Sequence, residues 1–244
     1  MTKNLIVNGC SYTDDRRYST WATHIGKRYK NYTNLGRGGA GNDYIALSTV
    51  EYIESSNPDP KDTLVIVMWS SIGKKDVLIS GENYFKLKDD YPYLASNSTE
   101  TYYLFSGGLT HSWLDNKETK KMFWEFYRNS DPLSLCKESL FNFILLENYL
   151  TSKGYKYLFT PYANCWDEQQ ESTMGGDYSI GYFCNQDDTQ MYRNFDFSHW
   201  YIDQCLADYA KERNELNHTW HPVSSCHERY ASEVLTPLIH NIHV

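Results

Sequence analysis

Thr63-Leu64-Val65-Ile66-Val67-Met68-Trp69 is an unbroken run of β-branched and bulky apolar residues after a single threonine. It shows no polar alternation, so it cannot turn one face to water. A run of this length predicts a central strand of a parallel sheet, covered by helices on both faces. Asn57-Pro58-Asp59-Pro60 just ahead of it is a stop signal for the preceding helix.

Shorter runs of the same kind lie on either side. Asn4-Leu5-Ile6-Val7-Asn8 ends at Gly9, Asn31 to Leu35 ends in the glycine-rich Gly36-Arg37-Gly38-Gly39-Ala40-Gly41, and Tyr155 to Thr160 is stopped by Pro161. Each reads as a strand. Between them come helical spacings: about Ser19 to Tyr29 with Ser19 or Thr20 as cap, Asp43 to Glu54, and Leu135 to Thr151 with Gly154 where a C-terminal cap belongs. Further helices are predicted over Ser198 to Glu215 and from Pro222 to about Ile239, the last shortened or kinked by Pro237. Strands alternating with helices make an α/β fold with a parallel sheet. Sites in such sheets lie beyond the carboxyl ends of the strands, here just after Asn8, Leu35, Trp69 and Thr160.

Two stretches break the pattern, at about 72–132 and 162–197, and both are rich in aromatics. They read as insertions in one domain spanning 1–244, the first with a hairpin around Tyr84 to Leu87 and Tyr102 to Phe105. The chain has 22 Tyr, 10 Phe and 7 Trp, and this aromatic content excludes disorder. The net charge of -8 is the wrong sign for general nucleic-acid binding. No apolar run is long enough to cross a membrane, and the N-terminus lacks a signal peptide's apolar core, so the expectation is cytoplasmic synthesis. The six cysteines form no C-x-x-C pair, so they read as free thiols; no metal site and no cofactor is expected.

Three motifs carry chemistry. Gly9-Cys10-Ser11-Tyr12-Thr13 sets a serine at a strand-to-helix turn, where the helix N-terminus would favour developing negative charge. The same serine also fits an ordinary helix cap. Asn34 to Asp43 holds the glycine stretch, either a tight turn or an oxyanion hole made of a backbone N–H and an amide. His218-Thr219-Trp220-His221-Pro222 opens the last helix, so His221 is either a general base for a serine or a surface histidine. Cys10 is a rival nucleophile, but neighbours point in different directions, so only one of Cys10 and Ser11 can face His221. His218, His221, Cys226 and His227 are a weak metal candidate, because Cys226 and His227 face apart on a helix. Asp14 and Asp15 are a loop acid pair without an assigned role.

In this order and context the three blocks resemble the SGNH hydrolases, or GDSL esterases, and look most like their divergent relatives in tailed bacteriophages. The resemblance covers about two-thirds of the chain and leaves out both insertions. It implies a three-layer α/β/α, flavodoxin-like fold and hydrolysis of a carboxylic ester, often an acetyl group on a sugar. It implies Ser11 as nucleophile, Gly39 as an oxyanion N–H and His221 as general base. For the third block's oxyanion amide the nearest matches are Ser71, in Trp69-Ser70-Ser71, and the neighbouring Asn42. Cys10 stands where the family has Asp before the serine. His218 stands where it has the orienting Asp. Either another group orients His221, such as a backbone carbonyl or a distant Asp, or the chain is slow or inactive. The alternative function is a catalytically weakened or inactive module of the same fold, binding or virion-associated, that recognises glycan or protein through its aromatic insertions. A third is action on a modified nucleotide, supported only by Lys74-Lys75 beside Ser71.

Overall fold

The computed structural model describes residues 3–80, 95–96, 101–105, 117–166 and 197–243. The central sheet contains β1 (Asn4–Gly9), β2 (Asn31–Asn34) and β3 (Thr63–Trp69). The segment Asp76–Ser80 is β4, Ala95–Ser96 is β5 and Thr101–Phe105 is β6, while β7 (Lys156–Pro161) returns to the central sheet. The four central strands run parallel in the order β2-β1-β3-β7. This is the 2-1-3-4 order of a flavodoxin-like sheet, whose switch point lies between β1 and β3.

The apolar run in β3 does what its sequence predicts. All seven residues are buried. Leu64, Ile66 and Met68 pack into one core, and Val65, Val67 and Trp69 pack into the other. This is the two-residue period of a strand covered on both sides. β1 divides in the same way, with Leu5 and Val7 on one face and Ile6 on the other. Helices α2 (Asn42–Ser56) and α4 (Pro132–Lys153) close the Val65 face. The opposite face is closed by α1 (Trp21–Gly26), α5 (Leu206–Glu212), α6 (Ser224–Tyr230) and α7 (Thr236–His243). The result is a three-layer α/β/α fold. The helix α3 (Lys117–Asn129) lies within the first insertion.

Several boundaries differ from the sequence reading. The first helix covers only Trp21–Gly26, because Thr20 caps it and forms a reciprocal pair with Thr23. The region expected to be helical from Ser198 to Glu215 is a short 3-10 turn, Phe197–His199, followed by α5. The last helix starts at Ser224, not Pro222, and widens into a π turn over Ala231–Leu235. Pro237 follows that turn; it has no N–H to donate, and the backbone ahead of it relaxes to the wider spacing. β6 does contain the Tyr102 to Phe105 strand, but its partners are β4 and β5, all antiparallel. The proposed opposing strand, Tyr84 to Leu87, lies outside the described residues, as does most of the second insertion. Cys10, Cys136, Cys165, Cys205 and Cys226 are buried free thiols.

Two devices lock the loops above the sheet. Gly9 must be glycine, because a Cβ there would fall 2.3 Å from Thr13 Oγ1 and 2.8 Å from the Met68 carbonyl oxygen. The chain can therefore fold back tightly at the end of β1. Asp76 caps α2 from a distance, accepting the Gly41 N–H at 2.8 Å and the Tyr44 N–H at 2.8 Å. Burial pushes its carboxyl up to about 7, against the pull of those two N–H groups.

Candidate active site

The segment after β1 does not enter a helix directly. Thr13 and Asp14 both donate their N–H to the Cys10 carbonyl, at 2.9 and 3.1 Å, closing a turn around Ser11. The expected helix N-terminus at Ser11 is therefore corrected: α1 begins only at Trp21, so its dipole does not act on the serine. Within the turn, Cys10 is fully buried in the core and Ser11 is half-buried. The neighbour rule thus resolves in favour of Ser11 facing the site.

Ser11 Oγ lies 2.8 Å from His221 Nε2. The other ring nitrogen, Nδ1, is 2.9 Å from the Thr219 carbonyl oxygen and 3.2 Å from Thr219 Oγ1. A carbonyl only accepts, so Nδ1 carries the proton. That leaves the Nε2 lone pair to accept from the Ser11 hydroxyl. The group at the place of the missing carboxylate is a backbone carbonyl two residues before the histidine. His218 is exposed and takes no part in this pairing.

The histidine sits in a tight loop, not in a helix. A bridge between Leu216 and Pro222 closes the loop at its base. Inside it, Asn217 Oδ1 accepts from the Thr219 N–H at 2.8 Å, the Thr219 hydroxyl at 2.7 Å and the His221 N–H at 3.1 Å. Trp220 adopts φ +61, a left-handed conformation unusual for a bulky residue. It is held by its own N–H on the Asn217 carbonyl at 3.0 Å and by the Tyr12 hydroxyl, which donates to the Trp220 carbonyl at 2.5 Å. The Tyr12 ring also packs on His221, with centroids 5.2 Å apart. Strain of this sort persists where surrounding contacts determine the backbone. Neither Asn217 nor Tyr12 stands out in the sequence. Asn217 had a signal available, since Asn bonding the backbone two residues on is an Asx turn. Tyr12 had none among so many tyrosines.

Gly39 lies in the loop after β2, with φ +85, a conformation glycine tolerates. Its neighbours are pinned. The Arg37 N–H donates to the Gly9 carbonyl at 3.0 Å, and the Gly38 N–H donates to Asp14 Oδ2 at 2.9 Å. Burial alone would raise the Asp14 carboxyl, but Arg16, bonded to it at 2.8 and 2.6 Å, holds it below the ordinary carboxylate value. Asp14 therefore ties the glycine loop to the serine turn. Among the described residues, neither the Ser11 N–H nor the Gly39 N–H has a hydrogen-bond partner.

Asn42 does not join this group. Its Oδ1 accepts from the Ser70 N–H at 2.9 Å, and its Nδ2 donates to the Ser70 carbonyl and to Ser139 Oγ. At 2 % exposure, with both ends engaged, it fixes the end of β3 and has no donor left for a ligand. The expectation that it substitutes for the oxyanion amide is corrected on that ground. Ser71 is buried one residue further on, with its Oγ accepting the Gly73 N–H at 3.2 Å. His227 and Cys226 are both buried in the core beneath α6, and among the described residues no three metal-ligating side chains converge. A groove of about 660 Å³, lined by Asp43, Leu47, Phe141, Asn142 and Leu145 among others, includes neither Ser11 nor His221.

No family model matches the chain, and no curated protein matches it in sequence. Among solved structures it is similar to a lipase from a goat rumen metagenome, at 10 % identity and a TM-score of 0.48, covering 96 % of this chain and 97 % of that one. It is similar to TesA at 12 % identity and a TM-score of 0.47, covering 98 % and 99 %. It is also similar to an acetyl xylan esterase at 13 % identity and a TM-score of 0.48, covering 96 % and 99 %.

Proposed function

We propose that the chain is a serine ester hydrolase of SGNH type that uses a Ser–His pair oriented by a backbone carbonyl. The observation that carries this reading is the continuous relay from Ser11 Oγ through His221 Nε2 and Nδ1 to the Thr219 carbonyl. Ser11 Oγ attacks the ester carbonyl carbon while its proton passes to His221 Nε2. The N–H groups of Ser11 and Gly39 receive the oxyanion, with Ser71 as the third donor we assign. His221 then protonates the leaving alkoxide. A water, deprotonated by the same nitrogen, releases the acyl group from Ser11. The substrate we assign is a small ester or an acylated carbohydrate.

The carbonyl replaces half of what an orienting Asp does. In a serine triad, changing that Asp to an amide costs about 10⁴ in rate, because it permits the wrong tautomer. The Thr219 carbonyl cannot donate, so it enforces the right one. That carbonyl carries no negative charge of its own to stabilise the imidazolium, so as an orienting group it supports a slower rate than a carboxylate would. The uncharged character of this contact is also what favours the second reading, a binding module on a retained fold. A fluorophosphonate probe separates the two. Covalent labelling at Ser11, lost in His221→Ala, is the expected result; an unlabelled wild type would sink the hydrolase reading.

Asn217 positions the base without touching the reacting atoms. Asn217→Ala removes three accepted bonds and frees the Thr219 carbonyl. It is expected to lower kcat by about 10- to 100-fold, the cost of losing hydrogen bonds of about 1 kcal/mol each in a pre-set geometry. Asn217→Asp keeps an acceptor at the same place, so it should recover most of the rate. Equal loss in both variants would argue against positioning through the accepted bonds.

A further inference from the structure

The protein carries a net charge of -8, yet the segments that meet at Ser11 have the opposite balance. Residues 9–18, 36–41 and 70–74 hold four cations, Arg16, Arg17, Arg37 and Lys74, against two acids, Asp14 and Asp15. Both acids are engaged. Asp14 is held by Arg16 and the Gly38 N–H, and Asp15 accepts from the Tyr32 hydroxyl at 2.6 Å. Lys75, one of the two lysines noted beside Ser71, is also engaged: it pairs with Asp43 at 2.9 Å and Glu138 at 2.8 Å, turned away to α2 and α4.

Arg17 is exposed, which leaves Arg37 and Lys74 as the cations drawn into the loops. Both are half-buried, and neither meets a carboxylate among the described residues. Arg37 belongs to the oxyanion loop. Its backbone is bonded to Gly9, and its guanidinium spends one donor, Nη1, on the Gly36 carbonyl at 3.0 Å. A guanidinium has five N–H donors in a fork suited to carboxylate or phosphate, and among the described residues the Gly36 carbonyl takes only one of them. Lys74 reaches the site from the other side. Its Nζ lies 5.5 Å from the centre of the Tyr162 ring, Tyr162 packs on Tyr12 at 5.0 Å, and Tyr12 packs on His221. Its ammonium is thus stationed two rings away from the general base. Among the described residues the carboxyl that feels Lys74 is the buried Asp76, already bonded to the Gly41 and Tyr44 N–H groups, so Lys74 and Arg37 keep donors for an anion that a ligand brings.

We infer that the ester taken by this site carries an anionic group, a carboxylate or a phosphate, which Arg37 and Lys74 receive. The inference deepens the hydrolase reading and rests on it for chemistry, although anion binding is measurable without turnover. The positive local field also draws such a substrate against the protein's overall charge.

The test has a kinetic arm and a binding arm. In the first, kcat/KM is compared for phenyl acetate, 4-acetoxybenzoate and 4-acetoxyphenyl phosphate, which differ in the charge opposite the ester. The charged esters should be preferred by about 10- to 100-fold, as charge-assisted hydrogen bonds of the usual strength imply. That ratio should fall in Lys74→Ala and in Arg37→Gln, and with added salt. The carboxylate and phosphate arms then show which anion is preferred. In the second arm, phenyl phosphate and benzoate are titrated calorimetrically against Ser11→Ala protein, with and without Lys74→Ala. Turnover of phenyl acetate as fast as either charged ester overturns the inference and leaves the hydrolase reading standing. Anion binding weakened by Lys74→Ala, without turnover of any ester, supports the anion site and sinks the hydrolase reading. Neither anion binding nor charge preference sinks the inference outright.

Discussion

Ser11→Ala is expected to lower kcat on any ester the protein turns over by about 10⁴-fold, less than in a complete triad because the orienting carbonyl is uncharged, and His221→Ala by a comparable factor. The two residues act as one unit across their 2.8 Å contact: the hydroxyl is a poor nucleophile without the base, and the base has nothing to deprotonate without the hydroxyl. Their losses should therefore not add. The double variant should retain the same residual rate as either single one, about 10³- to 10⁴-fold above water, supplied by the oxyanion donors and substrate binding. Steady-state kinetics on the best ester of a panel, at protein concentrations fixed by absorbance and with folding confirmed by circular dichroism, checks this. Multiplicative losses in the double variant would mean that Ser11 and His221 serve separate steps. A Ser11→Ala protein as active as the wild type would end the assignment of the nucleophile.

A second large effect belongs to stability and comes from His227. Its side chain is fully buried below α6, and its Nδ1 accepts the Trp21 N–H at 3.2 Å, at the start of α1. Burial, with lesser contributions from the nearby His221 and His24, pushes its pKa down from 6.5 to about 3. The folded protein keeps the ring neutral while the unfolded chain protonates it. The folded pKa is depressed, so the stability His227 contributes is complete above pH 6.5 and is lost as the pH falls towards 3. Between pH 7 and pH 4 the loss amounts to about 3 kcal/mol. Asp76 works in the other direction. Its carboxyl is raised from 3.8 to about 7, so its contribution is complete below pH 3.8 and lost as the pH rises to 7. The whole-protein profile mixes both, and a variant isolates the histidine. Gln in place of His227 can still accept from Trp21 and does not titrate. Urea unfolding of wild type and His227→Gln from pH 4 to 7 should show the wild type losing about 3 kcal/mol more than the variant on acidification. Parallel profiles would show that His227 charges without cost to the fold.

The first effect traces to how two short segments are built. The turn after β1 provides the nucleophile at Ser11, the Asp14 clamp on the glycine loop, and Tyr12 beneath the histidine. The Asn217 loop provides the base and its orienting carbonyl. A change at any of these residues acts on geometry before it acts on chemistry, which is why rate and pH profile need to be read together.

The layers are written in the chain. A strand of seven residues with no polar alternation must be covered on both sides, and the apolar helix faces on either side of it in the sequence supply the cover. The sequence also marks the segments that end at the carboxyl edge of the sheet, Ser11 and the glycine stretch among them, because strand ends and turn residues are local properties; His221 is marked by its place before Pro222, and the role of Gly39 comes from the resemblance alone. What acts on His221 is a matter of packing. The Thr219 carbonyl carries no signature in a sequence, since every residue has one; the fold selects it by forcing Trp220 into a left-handed turn and by clamping Asn217 across it. The same holds for Asn42. Its amide looked available until the buried contacts with Ser70 and Ser139 used both of its ends. It holds also for Arg37 and Lys74, whose charges are visible in the chain but whose freedom from carboxylate contacts among the described residues depends on distance in space. Local pattern specifies elements, and partnership between residues far apart in the chain is settled by packing.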